Sequence, residues 1–356
     1  MIEPFVYQPL PTRVVFGSGT LAQLGAEVGR VGARRALVLS TPGRAEAQAN
    51  GIAASLGERS AGVFAGAVMH TPVEVTEEAL RVVSERGADA LIAVGGGSTT
   101  GLGKAIALHT DLPQVVLPTT YAGSEMTPIL GETRDGAKTT LRDPRVLPEV
   151  VIYDVDLTLG LPAAVSTASG MNAIAHAVEA LYARDRNPLI TVVAEEAIAA
   201  LARALPRITR VPRDHEARSE ALYGAWLCGV CLGTVGMALH HKLCHALGGS
   251  FGLPHAETHA IVLPHVAAYN APAAPEAMAR VARALGTDDA ARGLHDLAGR
   301  LGVKRALRDV GMPADGIDEV VERTVADPYW NPRPLERAAI RALLTRAWSG
   351  EPPSSA

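Results

Sequence analysis

At 356 residues the chain has room for two domains of ordinary size. It is 48% hydrophobic and 20% charged, which gives ample core material, and with aromatics at only 4% that core is expected to consist of Ala, Val and Leu. Lys and Arg number 33 against 37 Asp and Glu, a net charge of −4, so no basic excess exists to hold a phosphate backbone and nucleic acid is not expected as a partner.

No apolar run reaches the ~18–20 residues of a membrane span. Met1-Ile2-Glu3-Pro4 lacks the basic opening of a signal peptide. Cys228, Cys231 and Cys244 are odd in number and clustered, which speaks against a disulfide framework. A cytoplasmic protein without a membrane partner is the expectation.

Along the first 155 or so residues, short apolar runs alternate with helix-period segments. The expected strands are Arg13–Phe16, Ala36–Ser40, Ala61–Ala65, Ala90–Gly95, Gln114–Leu117 and Val150–Asp154. Between them Val73–Arg86 carries Val75, Ala79, Val82 and Val83 on one helical stripe. Such alternation predicts a parallel sheet covered by helices on both faces. Ala90-Leu91-Ile92-Ala93-Val94 is apolar throughout, as a central strand should be.

After Asp156 only helical periodicity is found. It covers Ala168–Tyr182, Ile190–Ala204, Ala217–Cys231, Ala238–Leu247, Pro275–Leu285, Ala290–Leu301, Ala314–Val325 and Leu335–Trp348. The expected division is therefore an α/β dinucleotide-binding domain over residues 1–157 and an all-helical catalytic domain over 158–356. The tail Gly350–Ala356 is expected to be unstructured.

The strand Ala90–Val94 leads straight into Gly95-Gly96-Gly97-Ser98 and then a helical run through Lys104. Glycines let a backbone approach a ligand closely, and unpaired N–H groups at a helix start attract a pyrophosphate. In isolation an ordinary strand-to-helix turn reads the same way; its place after a buried strand favours the phosphate reading. It is neither the G-x-G-x-x-G pattern nor a P-loop. Thr119 and Thr120, after the next strand, are expected to face the same cofactor, although a Thr-rich turn without a ligand reads alike. Ser40 and Thr41, at the tip of a third strand, complete the cofactor set. No Asp or Glu stands at that tip to repel a 2′-phosphate, so NADH and NADPH are both admissible.

His240, His241, His245, His255, His259 and His265 fall within 26 residues, with His176 upstream. His241 and His245 are four apart on a helical segment, the loop Gly248–Pro254 turns the chain, and His255 and His259 are again four apart. Asn172 and His176 form a further pair of the same spacing. Several His with a carboxylate would suit a transition metal. Asn172 stands where that carboxylate would be wanted, so the better reading is a metal-free pocket of proton and hydrogen-bond donors for an anionic substrate. Cys228 and Cys231, in an apolar helical run without a second pair, are expected to be small buried hydrophobes, and Cys244 likewise.

The combination of Gly95–Lys104 (GGGSTTGLGK), Pro118-Thr119-Thr120, Ser169–His176 (SGMNAIAH), His240–Gly249 (HHKLCHALGG), Leu253–His259 (LPHAETH) and Asn331–Pro334 (NPRP) resembles the iron-containing (group III) alcohol dehydrogenase superfamily. Within it the chain is most similar to the maleylacetate reductase branch. The resemblance implies a dehydroquinate synthase-like fold, a homodimer and a cleft between the two halves. In metal-dependent relatives the positions matching Asn172, His176, His241 and His255 hold the metal, and the first is Asp. Gly101 also replaces an Asp usual in the alcohol dehydrogenases. Both departures imply a reductase that works without a tightly bound metal.

The implied reaction is the NADH- or NADPH-dependent reduction of maleylacetate to 3-oxoadipate, in aromatic-compound degradation. Hydride would add to the alkene carbon β to the ketone, and imidazoles would stabilise the enolate and protonate its carbon. His245 and His255 are the expected catalytic pair, with His176 and His241 shaping and charging the pocket. Asn172, Lys242, Arg333 and Tyr121 are expected to bind the dicarboxylate, and Lys104 is a further candidate cation. The alternatives are a metal-dependent (Fe or Zn) alcohol dehydrogenase, a metallohydrolase built on the histidines, and a nucleotide-binding sensor.

Overall fold

The computed structural model describes residues 4–134 and 137–354. Its contacts divide the chain into two compact units, Leu10–Leu161 and the chain from Pro162 onward together with the residues preceding Leu10.

The first unit contains β1 (Arg13–Gly17), α1 (Leu24–Arg30), β2 (Ala36–Leu39), α2 (Arg44–Leu56), β3 (Ser60–Phe64), α3 (Val73–Arg86), β4 (Ala90–Gly95), α4 (Gly97–Thr110), β5 (Gln114–Pro118), β6 (Ile129–Arg134), β7 (Ala137–Arg142) and β8 (Val150–Asp154). All six expected strands form one parallel sheet in the order β1-β8-β5-β4-β2-β3. Side-chain alternation sorts the strand residues onto two cores. Val38, Ile92, Val94 and Val115 pack with Leu24 and Val28 of α1 and Ile52 of α2. Leu37, Leu39 and Leu91 pack with Val83 of α3 and Leu102 and Ile106 of α4. Both faces of β4 are thereby buried, and each fully enclosed Leu or Ile contributes about 1.5–3 kcal/mol.

The chain runs from β2 outward to β3 and then returns to the other side of β2 at β4. The carboxyl ends of β2 and β4 thus flank the point where strand order reverses, which is where open α/β sheets hold ligands.

The antiparallel pair β6–β7 escapes the periodicity reading. Its strands, ILGETR and AKTTLR, are largely polar, so no apolar alternation marks them. Asp135-Gly136, a pair that suits a tight hairpin turn, lies outside the described residues.

Lys104 is not available for a substrate carboxylate. It is fully buried on α4, and its Nζ donates to the carbonyls of Ser124, Thr127 and Ile129 at 2.6, 2.7 and 2.8 Å, with Thr127 Oγ1 at 2.9 Å. The ammonium is spent on fastening the segment between β5 and β6 to α4. Burial pulls its pKa down to about 7, and the carboxylate of Glu125 works the other way.

The second unit contains α5 (Ala163–Tyr182), α6 (Pro188–Arg210), α7 (His215–Thr234), α8 (Leu239–Phe251), α9 (His255–Asn270), α10 (Pro275–Leu285), α11 (Ala290–Arg300), α12 (Ile317–Ala326) and α13 (Arg337–Ser349), with no strand among the described residues. Asn187, Asp214 and Asp289 cap α6, α7 and α11 by accepting the N–H groups of Ile190, Ala217 and Arg292. Helix α6 continues through Pro206, beyond the expected end at Ala204, and α9, with Pro264 inside it, is a helix that the pattern reading leaves out. The expected loop Gly248–Pro254 shrinks, because α8 runs on to Phe251 and closes at Gly252, which is left-handed with φ 61°.

Helix α5 is buried continuously from Ser166 to Tyr182. Its small residues permit this, since a Cβ at Gly170 would stand 2.6 Å from a Leu205 methyl. Cys228, Cys231 and Cys244 are buried and free, as expected. The expected unstructured tail is corrected at its start: Gly350 closes α13, the Glu351 N–H bonds the Arg346 carbonyl, and its carboxylate pairs with Arg346. Ser355 and Ala356 lie outside the described residues. No single helix among the described residues is long and apolar enough to cross a membrane.

Replacing Lys104 with Met leaves the oxygens of the β5–β6 segment without their donor. Denaturant unfolding is expected to report a loss of about 3–5 kcal/mol, whereas a loss below about 1 kcal/mol would mean that water substitutes for the ammonium.

Candidate active site

At the end of β4, Gly95 adopts φ 151°, and a Cβ there would stand 2.4 Å from Thr99 Oγ1. A Cβ on Gly96 would stand 2.7 Å from Thr120 Oγ1. The Thr119 N–H donates to the Gly95 carbonyl at 2.9 Å, so the glycine turn and the Thr119-Thr120 loop form one surface. Helix α4 begins at Gly97; the Thr99 and Thr100 N–H groups bond the Gly96 carbonyl at 3.1 Å, and those of Gly97 and Ser98, ahead of them, have no intrahelical acceptor. The hydroxyls of Ser40 and Thr99 are buried without a partner. The expected cofactor residues Ser40, Thr41, Gly95, Gly96, Gly97, Ser98, Thr119 and Thr120 therefore stand at or just past the carboxyl ends of β2, β4 and β5. A glycine cradle, a bare helix start and orphaned hydroxyls fit the pyrophosphate of a dinucleotide. Gly101, one turn into α4, has the Thr71 hydroxyl 2.5 Å from where its Cβ would be.

The helical unit gathers the histidines. His241 is the hub: its ring centroid lies 5.2 Å from His176, 5.2 Å from His240, 5.0 Å from His259 and 6.2 Å from His245. His255 joins through His259 at 4.1 Å. His176, His240, His241 and His259 are buried, His245 is half-buried and His255 is exposed. The four positions singled out by sequence thus meet in one cluster, with His240 and His259 as its interior. His265, the last of the run, makes no ring contact with it; its Nδ1 is buried without a partner, and burial, with His295 and Arg346 nearby, lowers it to about 4.

Glu179 is the residue that the sequence reading misses. It lies on α5 at i+3 from His176 and i+7 from Asn172, on the same helical face. Its carboxylate accepts from His241 Nδ1 at 2.7 Å. The single carboxylate of α5, on the face that carries Asn172 and His176, is the signal that could have found it. Tyr329, also unforeseen, places its hydroxyl 3.3 Å from His245 Nδ1.

Burial, and then the imidazoles of His241, His255 and His240, hold His176 well below its usual value. Burial and the surrounding rings do the same to His259, and His240 is lowered to about 4. For Glu179 burial acts to raise the pKa, but the hydrogen bond from His241, the charges of His241 and His240 and the Ala238 N–H outweigh it, so the carboxyl sits below its usual range. Burial thus disfavours the charged form of His176, His240 and His259, while the Glu179 carboxylate is favoured.

This arrangement fits a resident iron poorly. Asn172, His176, His241 and His255 offer neutral donors only, and both oxygens of Glu179 are already taken by N–H groups. Among the described residues, the group that brings its ligand atoms within 4.8 Å of one another is instead His240, His241 and His259. There His240 Nε2 bonds the His259 carbonyl at 3.0 Å and His241 Nδ1 bonds Glu179. Asn172 Oδ1, His176 Nδ1 and His241 Nε2 are buried without partners, which marks a polar site made to receive a molecule.

Of the residues expected to bind the dicarboxylate, Asn172 alone belongs to this cluster's buried face. Lys242 is not a solvated surface charge: its side chain is 13% exposed, pairs with Asp327 at 2.9 Å and lies 5.2 Å from the Tyr329 ring centre. Arg333 donates to the Tyr269 carbonyl at 3.0 Å and stacks on the Tyr269 ring. Tyr121 is fully buried in the α/β unit.

The buried neutral imidazoles set an acid limit on stability. His176, His240 and His259 titrate lower in the folded chain than the ~6.5 of an unfolded one, so folding releases protons below that pH. Stability is full above about pH 6.5 and falls as pH drops toward 4, by up to ~1.4 kcal/mol per pH unit for each histidine. Calorimetry is expected to show Tm declining from about pH 7 to about pH 5, with a shallower decline in His259→Asn; a flat native profile would mean that these rings accept protons without unfolding.

A family model described as iron-containing alcohol dehydrogenase matches residues 11–155, and one for the C-terminal part of the Fe-containing alcohol dehydrogenase family matches residues 166–348. Maleylacetate reductase of Rhizobium sp. (strain MTP-10005) is 56% identical over 352 residues, covering 99% of this chain and 100% of the relative. The crystal structure of maleylacetate reductase from Agrobacterium tumefaciens superposes with a TM-score of 0.95 at 56% identity, over 99% of this chain and 100% of that one. That of a 1,3-propanediol oxidoreductase superposes at 0.91 with 27% identity, over 97% and 100%. By matched sequence along nearly its whole length, by its six-stranded parallel sheet and by its helical second unit, the chain belongs to the iron-containing alcohol dehydrogenase family.

Proposed function

We propose that this chain reduces maleylacetate to 3-oxoadipate with NADH or NADPH, and that it does so without a resident metal. The observation that carries the reading is the donor set: an amide and imidazoles face the site, buried and unpartnered, with no carboxylate among them. The 56% full-length identity to maleylacetate reductases supports the substrate. A homodimer in the cytoplasm goes with this reading.

When bound, the cofactor supplies one hydride to the alkene carbon β to the substrate's ketone. The protein must then carry negative charge on the ketone oxygen and deliver one proton to the adjacent carbon, which completes the addition of two hydrogens. His245 and His255 are the accessible members of the cluster, and we assign proton delivery to them. Tyr329 holds the His245 ring by its Nδ1. His241, anchored on Glu179, and the deeply buried His176 shape the polar wall of the pocket, and Asn172 directs its amide at the same polar space. Lys242 and Arg333 remain the proposed carboxylate contacts, each now tethered rather than free. Tyr121 is retained among the substrate-binding proposals.

In His255→Ala, turnover is expected to fall by about 10²-fold while NADH binding, followed by nicotinamide fluorescence, stays within about twofold. Unchanged turnover would remove His255 from the chemistry. Chelator treatment with metal analysis tests the other half. Absorbance assays should show full NADH oxidation by maleylacetate in metal-stripped protein, and activity lost on chelation and restored by iron or zinc would replace this reading with a metal-dependent dehydrogenase.

A further inference from the structure

Four donors converge on the two oxygens of the buried Glu179 carboxylate. Oε2 accepts the Ala238 N–H at 2.8 Å and His241 Nδ1 at 2.7 Å. Oε1 accepts the His240 N–H at 2.8 Å and the Tyr182 hydroxyl at 3.4 Å. Ala238 immediately precedes α8 as its N-cap residue, and His240 lies in the first turn, so a side chain from α5 caps α8 from outside with its charge toward the positive helix end. Helix α8 has no cap of its own from Ala238.

Backbone N–H groups only donate, so both oxygens must be acceptors where they stand. With Oε2 an acceptor, the 2.7 Å contact places a hydrogen on His241 Nδ1. The other ring nitrogen, Nε2, is buried and has no partner.

We infer that Glu179 is the positioning residue of the reaction: by capping α8 and binding Nδ1 it fixes the His241 tautomer and reserves Nε2 for the substrate. The inference builds on the reductase reading of the site. It makes His241 directional. Any hydrogen that His241 takes or gives passes at Nε2, and a flipped ring would set a carbon against the carboxylate and forfeit the bond. A neutral isostere cannot repeat this, because the amide of a glutamine turns an NH2 toward one of the two backbone N–H groups.

Two measurements test this. In ¹⁵N-histidine-labelled native protein at neutral pH, with the His241 signals identified by their loss in His241→Asn, NMR is expected to show hydrogen on Nδ1. The opposite tautomer overturns the inference, and this arm uses no substrate, so it decides the matter even if maleylacetate is not turned over. In Glu179→Gln, kcat is expected to fall by about 10²-fold with KM for NADH within about twofold, and the His241 signals should lose their single tautomer. A purely structural Glu179 would lower Tm and leave the folded fraction with kcat within about twofold of native, which also overturns the inference. Should Glu179→Gln fail to fold, the tautomer seen in the native protein decides alone.

Discussion

The helical unit is organised around one buried anion. A carboxylate with no solvent contact is costly unless every lone-pair direction is met by a donor, and Glu179 meets that demand by drawing in the start of α8, the ring of His241 and the hydroxyl of Tyr182. The demand is mutual. Helix α8 begins against that carboxylate, His241 is presented from its first turn, and the remaining imidazoles pack around His241 as their hub. Small residues along α5 allow the anion to sit so deep, since bulkier ones at positions such as Gly170 would push neighbouring helices away.

The α/β unit meets a similar demand with a cation. Lys104 follows the glycine turn by two helical turns and satisfies a group of carbonyls that would otherwise be enclosed without donors. It thereby pins the segment that follows Thr119 and Thr120, and Thr120 occupies the volume that a side chain at Gly96 would need. The glycines, the threonine loop and the buried ammonium form a single mechanical piece.

Strand identity and the glycine turn were legible in the sequence because they rest on local patterns: Ala90–Val94 is apolar on both faces, and Gly95–Ser98 follows it directly. The polar hairpin β6–β7 carries no such pattern, and α9 is interrupted by Pro264. The histidines announced themselves by their i,i+4 spacing, and their convergence is what the structure adds. Which of them are interior was not readable. His240 and His259 look no different from His245 and His255 along the chain, yet the first two are enclosed by tertiary packing. Glu179 shares a helical face with Asn172 and His176, but its partners, Ala238 and His240, lie about 60 residues on, beyond the reach of any local rule. For Lys104, charge suggested a ligand contact, and only the fold reveals that backbone oxygens claim it.

The close approach of Thr71 to Gly101 ties a turn to the helix that follows the glycine cradle. Thr71 and His70 both lie in the left-handed region, at φ 46° and 67°, a posture that a β-branched residue adopts only when its surroundings compel it. Any side chain introduced at Gly101 would meet that hydroxyl before it met anything else. A larger residue at this point of α4 would require the Thr71 side chain to turn away or the His70–Thr71 turn to shift. The two sites are therefore sterically coupled, and a side chain in the helix is accommodated only with a change at Thr71.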